Sequence, residues 1–547
     1  MFQSRCIVPA MLLAGFVVVV SGECHALTLT PIGSYPESPI ADWFDEGGAE
    51  AVGYDAASQT IATTNRYTQS VHVISIAEPS APELIMELDV TPYGAEPTNL
   101  DVKNGMLAVT VPAETKTDNG VVLLYPLDSV GVVEPAVVEV GPLPDAVKFT
   151  PDGRHVVVLN EGEPNDSYTI DPEGSVSIID VGCLSVKTAD FRKYNRNKRQ
   201  LTRQGIRIYG PGATVAMDLE PENLTISDDS KTAWVTLQEN NALAIVSLSC
   251  GQVTRLVPLG YKKHFLAGNE LDASDKDKAI NIQNWPVLGM YQPDGIASFR
   301  SHRRTWLVTA NEGDAREYVY DAPTGETDEN GDPMMEEVVA FSEEVRVKDI
   351  TLIDAYEENW PEIQDKSNLG RLKTTTSPPF GKFVNEEGED VYGLIYSYGA
   401  RSFSIWDDRG SLVYDSGADF ERITADALPD SFNANNDENE MDGRSDDKGP
   451  EPEGVTVGEI DGRMYAFISL ERIGGIMMYD VTTPWDPYFV DYANNRDFGG
   501  DPELGEAKDL APEGIVFISA AQSPTGVPLL AVANEVSGNA TIYQITE

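Results

Sequence analysis

Histidine and cysteine are both scarce here, with five and four copies in 547 residues. Cys6, Cys24 and His25 fall near the amino terminus, so little is left for a histidine-rich zinc or copper site or a serine triad. No Gly-x-Ser-x-Gly elbow, Walker loop, His-Glu-x-x-His or Cys-x-x-Cys occurs. Basic residues are also few. With 39 Lys+Arg against 89 Asp+Glu the formal charge is −50, which repels a phosphate backbone and an anionic lipid surface. Nucleic acid and direct membrane-surface binding are excluded on that ground, and cations or a saline setting are favoured. Long apolar runs are missing except one. Met1 to Arg5, the stretch Cys6 to Val20 and the small residues before Leu27 read as a signal peptide, residues 1–26, cleaved after Ala26. An uncleaved anchor is the alternative, although the run is shorter than the roughly 20 apolar residues of a spanning helix. The mature chain, 27–547, is expected to be secreted or periplasmic, with no stable membrane insertion.

What the chain has is a core-forming composition, 41% hydrophobic with 22 Tyr and 17 Phe, which excludes disorder despite the charge. It also has a repeat. A short opening, usually proline, an acid, a small residue or Asn and an aliphatic one, recurs as PDAV at Pro144, PENL at Pro221, PDGI at Pro293, PEGV at Pro452 and PEGI at Pro512. Weaker copies are AEAV at Ala49 and PTNL at Pro97, where Thr98 replaces the acid. Each opening leads to alternating stretches such as VVVLNEG, AWVTLQE and LLAVANE, then SVSIIDV, ALAIVSL and NATIYQI. Period-2 alternation bounded by Gly, Asn and Asp is the pattern of half-buried antiparallel strands. Seven equivalent units predict an all-β fold, a seven-bladed β-propeller with loop insertions, because radial repetition protects sheet edges. Two stacked β-sandwiches are the alternative, and their strands would not share an opening motif.

The unit openings are unevenly spaced, so insertions are expected near 185–216, 262–291, 321–344 and 425–450. The stretch FRKYNRNKRQLTRQGIR from Phe191 is a basic island, read as a solvated segment pairing with acidic neighbours. Cys183 and Cys250 end the similar strands SVSIIDVGC and ALAIVSLSC. Export permits a disulfide between them, whereas equivalent positions on neighbouring units can exceed the ~7 Å Cα limit. Both outcomes stay open.

Equivalent motifs on successive blades form a ring about the axis. The opening acids Glu50, Asp145, Glu222, Asp294, Glu453 and Glu513 are therefore expected to converge on one face. Converging carboxylates need cations or protons between them, and hard cations with oxygen ligands, Ca²⁺ above all, suit the set. A second hard metal, Mg, Mn or Fe, is a further candidate. The second-strand ends add Asn160-Glu161, Gln238-Glu239, Asn311-Glu312, Glu471-Arg472 and Asn534-Glu535. The competing reading is that the acids accept backbone N–H bonds in their own turns. Arg316, Arg401, Arg444 and Arg472 could fork onto phosphoryl oxygens, since metal with arginine neutralises charge in phosphoryl transfer. Ordinary pairing with neighbouring carboxylates is the alternative for each.

The stretches LNEGEPNDSYTIDPEGSVSIIDV, TANEGDARE, YSYGARSFSIWD and SDDKGPEPEGVTVGEIDGRMYAFISLERIGGIMMYDV resemble the choice-of-anchor I family of secreted bacterial propellers. The resemblance implies a propeller, and some relatives carry alkaline-phosphatase labels. It is similar in outline to calcium-dependent phosphatases and phytase-like propellers. The leading expectation is a secreted metal-binding propeller that hydrolyses phosphoesters of a small phosphorylated substrate. Glu222, Asp294, Glu453 and Glu513 would hold metal, Arg316, Arg401 and Arg472 would orient phosphoryl oxygens, and Glu161 or Glu312 would assist the attack. The rival is a non-catalytic extracellular binding or scaffold propeller with structural calcium. A quinone-dependent dehydrogenase lacks support, as Trp-docking repeats and a vicinal cysteine pair are absent.

Overall fold

In a computed structural model, residues 27–128, 133–327 and 333–547 are described. The expected signal peptide lies outside them. Seven four-stranded antiparallel sheets follow one another along the chain. Sheet 1 comprises Val52–Asp55, Thr60–Asn65, Ser70–Ser75 and Glu83–Asp89. Sheet 2 comprises Leu100–Lys103, Met106–Val111, Asn119–Pro126 and Ala136–Pro142, and sheet 3 Pro144–Phe149, His155–Asn160, Ser175–Asp180 and Val186–Asp190. Sheet 4 is Leu224–Ile226, Thr232–Leu237, Ala242–Ser247 and Gln252–Pro258, and sheet 5 Ile296–Ser301, Arg304–Asn311, Ser402–Asp407 and Leu412–Asp415. Sheet 6 is Pro452–Ile460, Arg463–Leu470, Ile476–Asp480 and Tyr488–Ala493. Sheet 7 takes Pro512–Ile518, Leu529–Asn534 and Asn539–Thr546, and its fourth strand is the amino-terminal Thr28–Tyr35, registered from Leu29 against Ile545 to Tyr35 against Ala540.

Burial explains the order. Second strands such as Thr60–Asn65 and Leu529–Asn534 are buried along their whole length, whereas the fourth strand Glu83–Asp89 alternates exposed and less exposed residues. A strand covered on both faces needs a sheet on each side. The hydrophobic clusters supply them: Val71 and Val73 pack with Leu107 and Leu123 between sheets 1 and 2, and Phe403 with Ile468 and Tyr479 between sheets 5 and 6. Ile61 and Ile74 meet Leu529 and Ile542 between sheets 1 and 7, so the last sheet packs on the first. The opening strands also touch in cyclic order around the axis. This is a β-propeller, held by a separate apolar seam at each sheet interface. Each fully buried aliphatic side chain in a seam contributes about 1.5–3 kcal/mol.

The surplus sequence builds side structure. Helices Lys198–Gln204 and Val215–Asp218 lie between sheets 3 and 4, after the outer strand Val186–Asp190 that the expected 185–216 insertion overlaps. Within the basic island, Arg207 is buried and pairs with Glu343. Tyr261–Lys263 and Val287–Met290 pair in a small sheet with Ile395–Ser397. Glu317–Thr327 and Pro333–Ser342 form a ribbon, and Asp419–Ala427 is a helix ahead of the 425–450 stretch. Cys183 and Cys250 are exposed and free, in equivalent turns after the third strands of sheets 3 and 4.

Candidate functional site

The opening motif places its residues with some economy of contacts. In four sheets the N–H following the motif's second position donates to a second-strand hydroxyl: Ala51 to Thr64 (3.0 Å), Asn99 to Thr110 (2.9 Å), Asn223 to Thr236 (2.9 Å) and Gly454 to Ser469 (2.9 Å). At Glu50, Glu222 and Glu453 the hydroxyl thus takes the backbone N–H that the acid was the alternative candidate to accept. Glycine has a separate reason. A Cβ on Gly295, Gly454 or Gly514 would stand 2.4, 1.9 or 2.3 Å from the carbonyl oxygen of Glu453, Glu513 or Glu50 in the next sheet. Glycine therefore lets the openings of sheets 5, 6, 7 and 1 close around the axis.

All six opening acids, Glu50, Asp145, Glu222, Asp294, Glu453 and Glu513, line one cavity of about 310 Å³. Glu312, Asp314, Glu471 and Glu535 join them, which makes ten carboxylates facing Lys448 and Arg472 as the cations in the lining. The cavity abuts an axial channel of about 420 Å³ walled by the opening strands and shares Glu50, Asp294 and Glu513 with it. Thr98 instead bonds Thr110 Oγ1 (2.9 Å) and the Pro144 carbonyl (2.7 Å), tying sheet 2 to sheet 3.

Two groups of carboxylates come within ligand distance of one another. Oxygens of Glu312, Glu453 and Glu471 lie within 4.8 Å, as do those of Glu161, Glu222 and Glu239. Glu453 Oε2 and Glu239 Oε2 are buried and accept no hydrogen bond. Burial, reinforced by neighbouring acids, pushes the Glu161, Glu222, Glu453 and Glu513 carboxyls well above the ordinary range. Asp294 is pushed up to about 7 and Glu471 to about 8, burial again leading. Glu451 behaves oppositely. Burial raises it, but Arg444, Lys448 and Arg472 outweigh that and hold it well below the carboxylate range. Lys448 joins Glu451 (3.0 Å) and Glu312, so a buried ion-pair cluster borders the first carboxylate group.

A family model for the choice-of-anchor I domain matches residues 50–484. The chain belongs to the choice-of-anchor I family. Gigasin-3a of Magallana gigas is similar, at 30% identity over 200 residues covering 34% of this chain and 67% of that protein. The mesenchyme-specific cell surface glycoprotein of Strongylocentrotus purpuratus is 28% identical over 289 residues, 49% of this chain and 35% of that protein. The match thus spans about a third of the latter's length. Among solved structures, Kuenenia stuttgartiensis hydrazine synthase aligns at a TM-score of 0.44 and 13% identity over 91% of this chain and 96% of that one. The WD40 domain of Toxoplasma gondii coronin aligns at 0.42 and 10%, over 95% and 86%.

In this choice-of-anchor I chain two of the arginines, Arg316 and Arg401, depart from expectation. Arg316 is buried away from the axial cavity, held by Asp218 (3.0 Å) and Glu220 and lying 4.8 Å over the Tyr209 ring. Arg401 is buried among the carbonyls of Asp272, Ser445 and Asp447 and the Glu421 carboxylate. Neither guanidinium reaches the cavity, because insertions flanking sheets 4 and 5 capture both. Arg444 pairs with Glu451 and Asp447. Arg472 does line the cavity, bonded to Glu451 (3.2 Å) and Glu471 (3.0 Å). The asparagines of the strand ends are structural: Asn160 Nδ2 donates to Ser177 Oγ (2.9 Å) and Asn311 Nδ2 to Ser404 Oγ (2.8 Å), tying second strand to third. Glu312 accepts from Gln238 and pairs with Lys448. Asp314 and Lys448 are additions that the repeat did not mark, since both come from segments outside the repeating strands. Among the described residues no helix is long and apolar enough to cross a membrane.

Proposed function

We propose that the mature chain is an extracellular binding propeller whose seven sheets are seven blades and whose axial mouth holds Ca²⁺. The observation that carries the reading is Glu453: its Oε2 is buried without a partner in a group whose other members, Glu312 and Glu471, lie within 4.8 Å. A carboxylate buried that way needs a proton or a cation. One Ca²⁺ with Ca–O distances near about 2.4 Å spans opposite ligands about 4.8 Å apart. The ion would join strand ends of sheets 5 and 6 and supply structural rigidity. A surface setting agrees with the name of the Strongylocentrotus relative, a cell surface glycoprotein. Binding is favoured over hydrolysis because Arg316 and Arg401, two of the three arginines expected to orient a phosphoryl group, are engaged elsewhere.

Equilibrium dialysis of chelated mature protein against Ca²⁺ tests this. Stoichiometric binding that Glu453→Gln reduces by one ion supports the reading. A wild-type protein that takes up no calcium, or a Glu453→Gln variant that binds as many ions as wild type, overturns it.

A further inference from the structure

The two carboxylate groups occupy the same three places in the repeat. Glu312 follows the second strand of sheet 5, Glu453 opens sheet 6, and Glu471 follows the second strand of sheet 6. Glu161 follows the second strand of sheet 3, Glu222 lies in the opening motif of sheet 4, and Glu239 follows the second strand of sheet 4 by two residues. Propeller geometry therefore presents one three-glutamate constellation twice, at alternate sheet interfaces.

From this we infer a second hard-cation site, formed by Glu161, Glu222 and Glu239 between sheets 3 and 4. The inference shares with the proposed function the view that the axial acids hold cations, but it rests on other residues. Three observations carry it. The ligand oxygens lie within 4.8 Å of one another, as at the first group. Glu239 is 6% exposed and its Oε2 has no hydrogen-bond partner. Among the described residues no ion pair reaches Glu161, Glu222 or Glu239, whereas the first group has Lys448 and Arg472 beside it. Arg316 opposes the effect of burial on Glu239 from a distance, but it pairs with Asp218 and Glu220 instead, and three converging carboxylates with no direct ion pair are costly unless protonated or bridged.

The interface between sheets 7 and 1 supplies the comparison. Its equivalent residues are Glu535, Glu50 and Arg66, and Arg66 stands 3.6 Å from Glu50 where a third glutamate would be. There the chain provides its own cation. At the sheet 4 to 5 interface the opening acid is Asp294, one methylene shorter, and Glu239, Asp294 and Glu312 do not meet as a group. Glu471, Glu513 and Glu535, at the sheet 6 to 7 interface, likewise do not meet. The site thus follows from glutamate at all three positions together with their convergence, and both conditions hold at sheets 3 to 4.

The test counts ions on the chelated and reloaded mature protein, using Ca²⁺ itself. Two ions in wild type and one in Glu239→Gln are expected, with Glu453→Gln also at one and the double variant at none. Glu239→Arg copies the Arg66 interface, so it should lose one ion while keeping its melting temperature without calcium. Equal ion counts in wild type and Glu239→Gln overturn the inference and leave the first site standing. If instead Glu453→Gln changes nothing while Glu239→Gln loses an ion, the first site fails and the second stands. Should Glu239→Gln not fold, Glu161→Gln is read the same way. Anomalous scattering from Mn²⁺-soaked crystals then gives an independent answer: a peak among Glu161, Glu222 and Glu239 supports the site, and none there overturns it.

Discussion

Gln238 and Glu312, on the second-strand ends of neighbouring sheets 4 and 5, are joined by a 2.7 Å hydrogen bond from Nε2 to Oε2. The other Glu312 oxygen pairs with Lys448. Gln238 also precedes Glu239, so one strand end touches both carboxylate groups. Glu312 is consequently the most fully engaged acid of its group, and Glu453 the one with a free oxygen.

Replacing Lys448 separates charge from packing. Lys448→Met removes a counter-charge shared by Glu312 and Glu451, leaving buried carboxylates uncompensated. Loss of one partner in a buried pair costs about 3–5 kcal/mol, so the metal-free variant should melt well below wild type. Calcium affinity should rise, by about tenfold for each 1.4 kcal/mol of repulsion relieved, and calcium should restore most of the lost melting temperature. Weaker calcium binding by Lys448→Met, measured by titration calorimetry, contradicts this.

The metal-free protein should lose stability as pH rises from about 6 to 8. Burial pushes Asp145 up to about 6, Asp294 and Asp314 to about 7, and Glu50 and Glu471 to about 8. The folded state therefore holds protons that the unfolded chain has released above about pH 4, and unfolding sheds them. Stability due to these raised groups is present at low pH and disappears as pH passes their folded values. His72 and His264, held below their usual value by burial, act in the other direction only beneath about pH 6.5. Scanning calorimetry of chelated protein at pH 6.5 and 8 should show the lower melting temperature at pH 8, and calcium should reverse the order. A chelated melting temperature that rises toward pH 8 refutes it.

Arg401 was expected from sequence at a phosphoryl site, and its surroundings make it a structural residue. It sits at φ +52°, with Nη1 on the Asp272 carbonyl and Glu421 (each 2.6 Å) and Nη2 on the Ser445 and Asp447 carbonyls (2.8 and 2.7 Å). Arg401→Ala strands Glu421 and should cost about 3–5 kcal/mol. Ion count should stay as in wild type. A variant that melts normally, or one that folds but loses calcium, is inconsistent with that role.

The ring of acids was legible in sequence because each follows the same punctuation, and the repeat maps equal motif positions onto equal distances from the axis. Glu161, Glu239, Glu312, Glu471 and Glu535 were legible in part, as they follow alternating stretches of matching length. What strand pattern could not show was the capture of Arg316 by Asp218 and Glu220, because those acids lie 98 and 96 residues away in the segment joining sheets 3 and 4. The same holds for Lys448, which reaches Glu312 across 136 residues. Period-2 alternation reports which face a strand buries, but it carries no information on where a long insertion returns. Asn160 and Asn311 misled for a local reason: at a strand end an amide serves the neighbouring strand's serines as readily as it serves a ligand.

Hydrolysis and binding make opposite predictions for Arg472, the expected phosphoryl arginine that does line the cavity. Two of its three donor nitrogens meet carboxylates, Nε at Glu451 (3.2 Å) and Nη2 at Glu471 (3.0 Å), so it acts first as their counter-charge. A phosphoryl dianion entering would face ten carboxylates, and bound cations would have to offset that field before any transfer. Wild-type protein loaded with Ca²⁺, Mg²⁺, Mn²⁺ or Fe is therefore expected to turn over no phosphomonoester, diester or phytate above the buffer rate. Arg472→Ala should lower the metal-free melting temperature by freeing Glu451 and Glu471, and calcium should recover part of the loss. If a loaded wild type does turn over a phosphoester, and Arg472→Ala cuts kcat/KM by about 10² or more while still binding the ions, the arginine is acting on a transition state. That pair of results would replace the binding propeller with an enzyme.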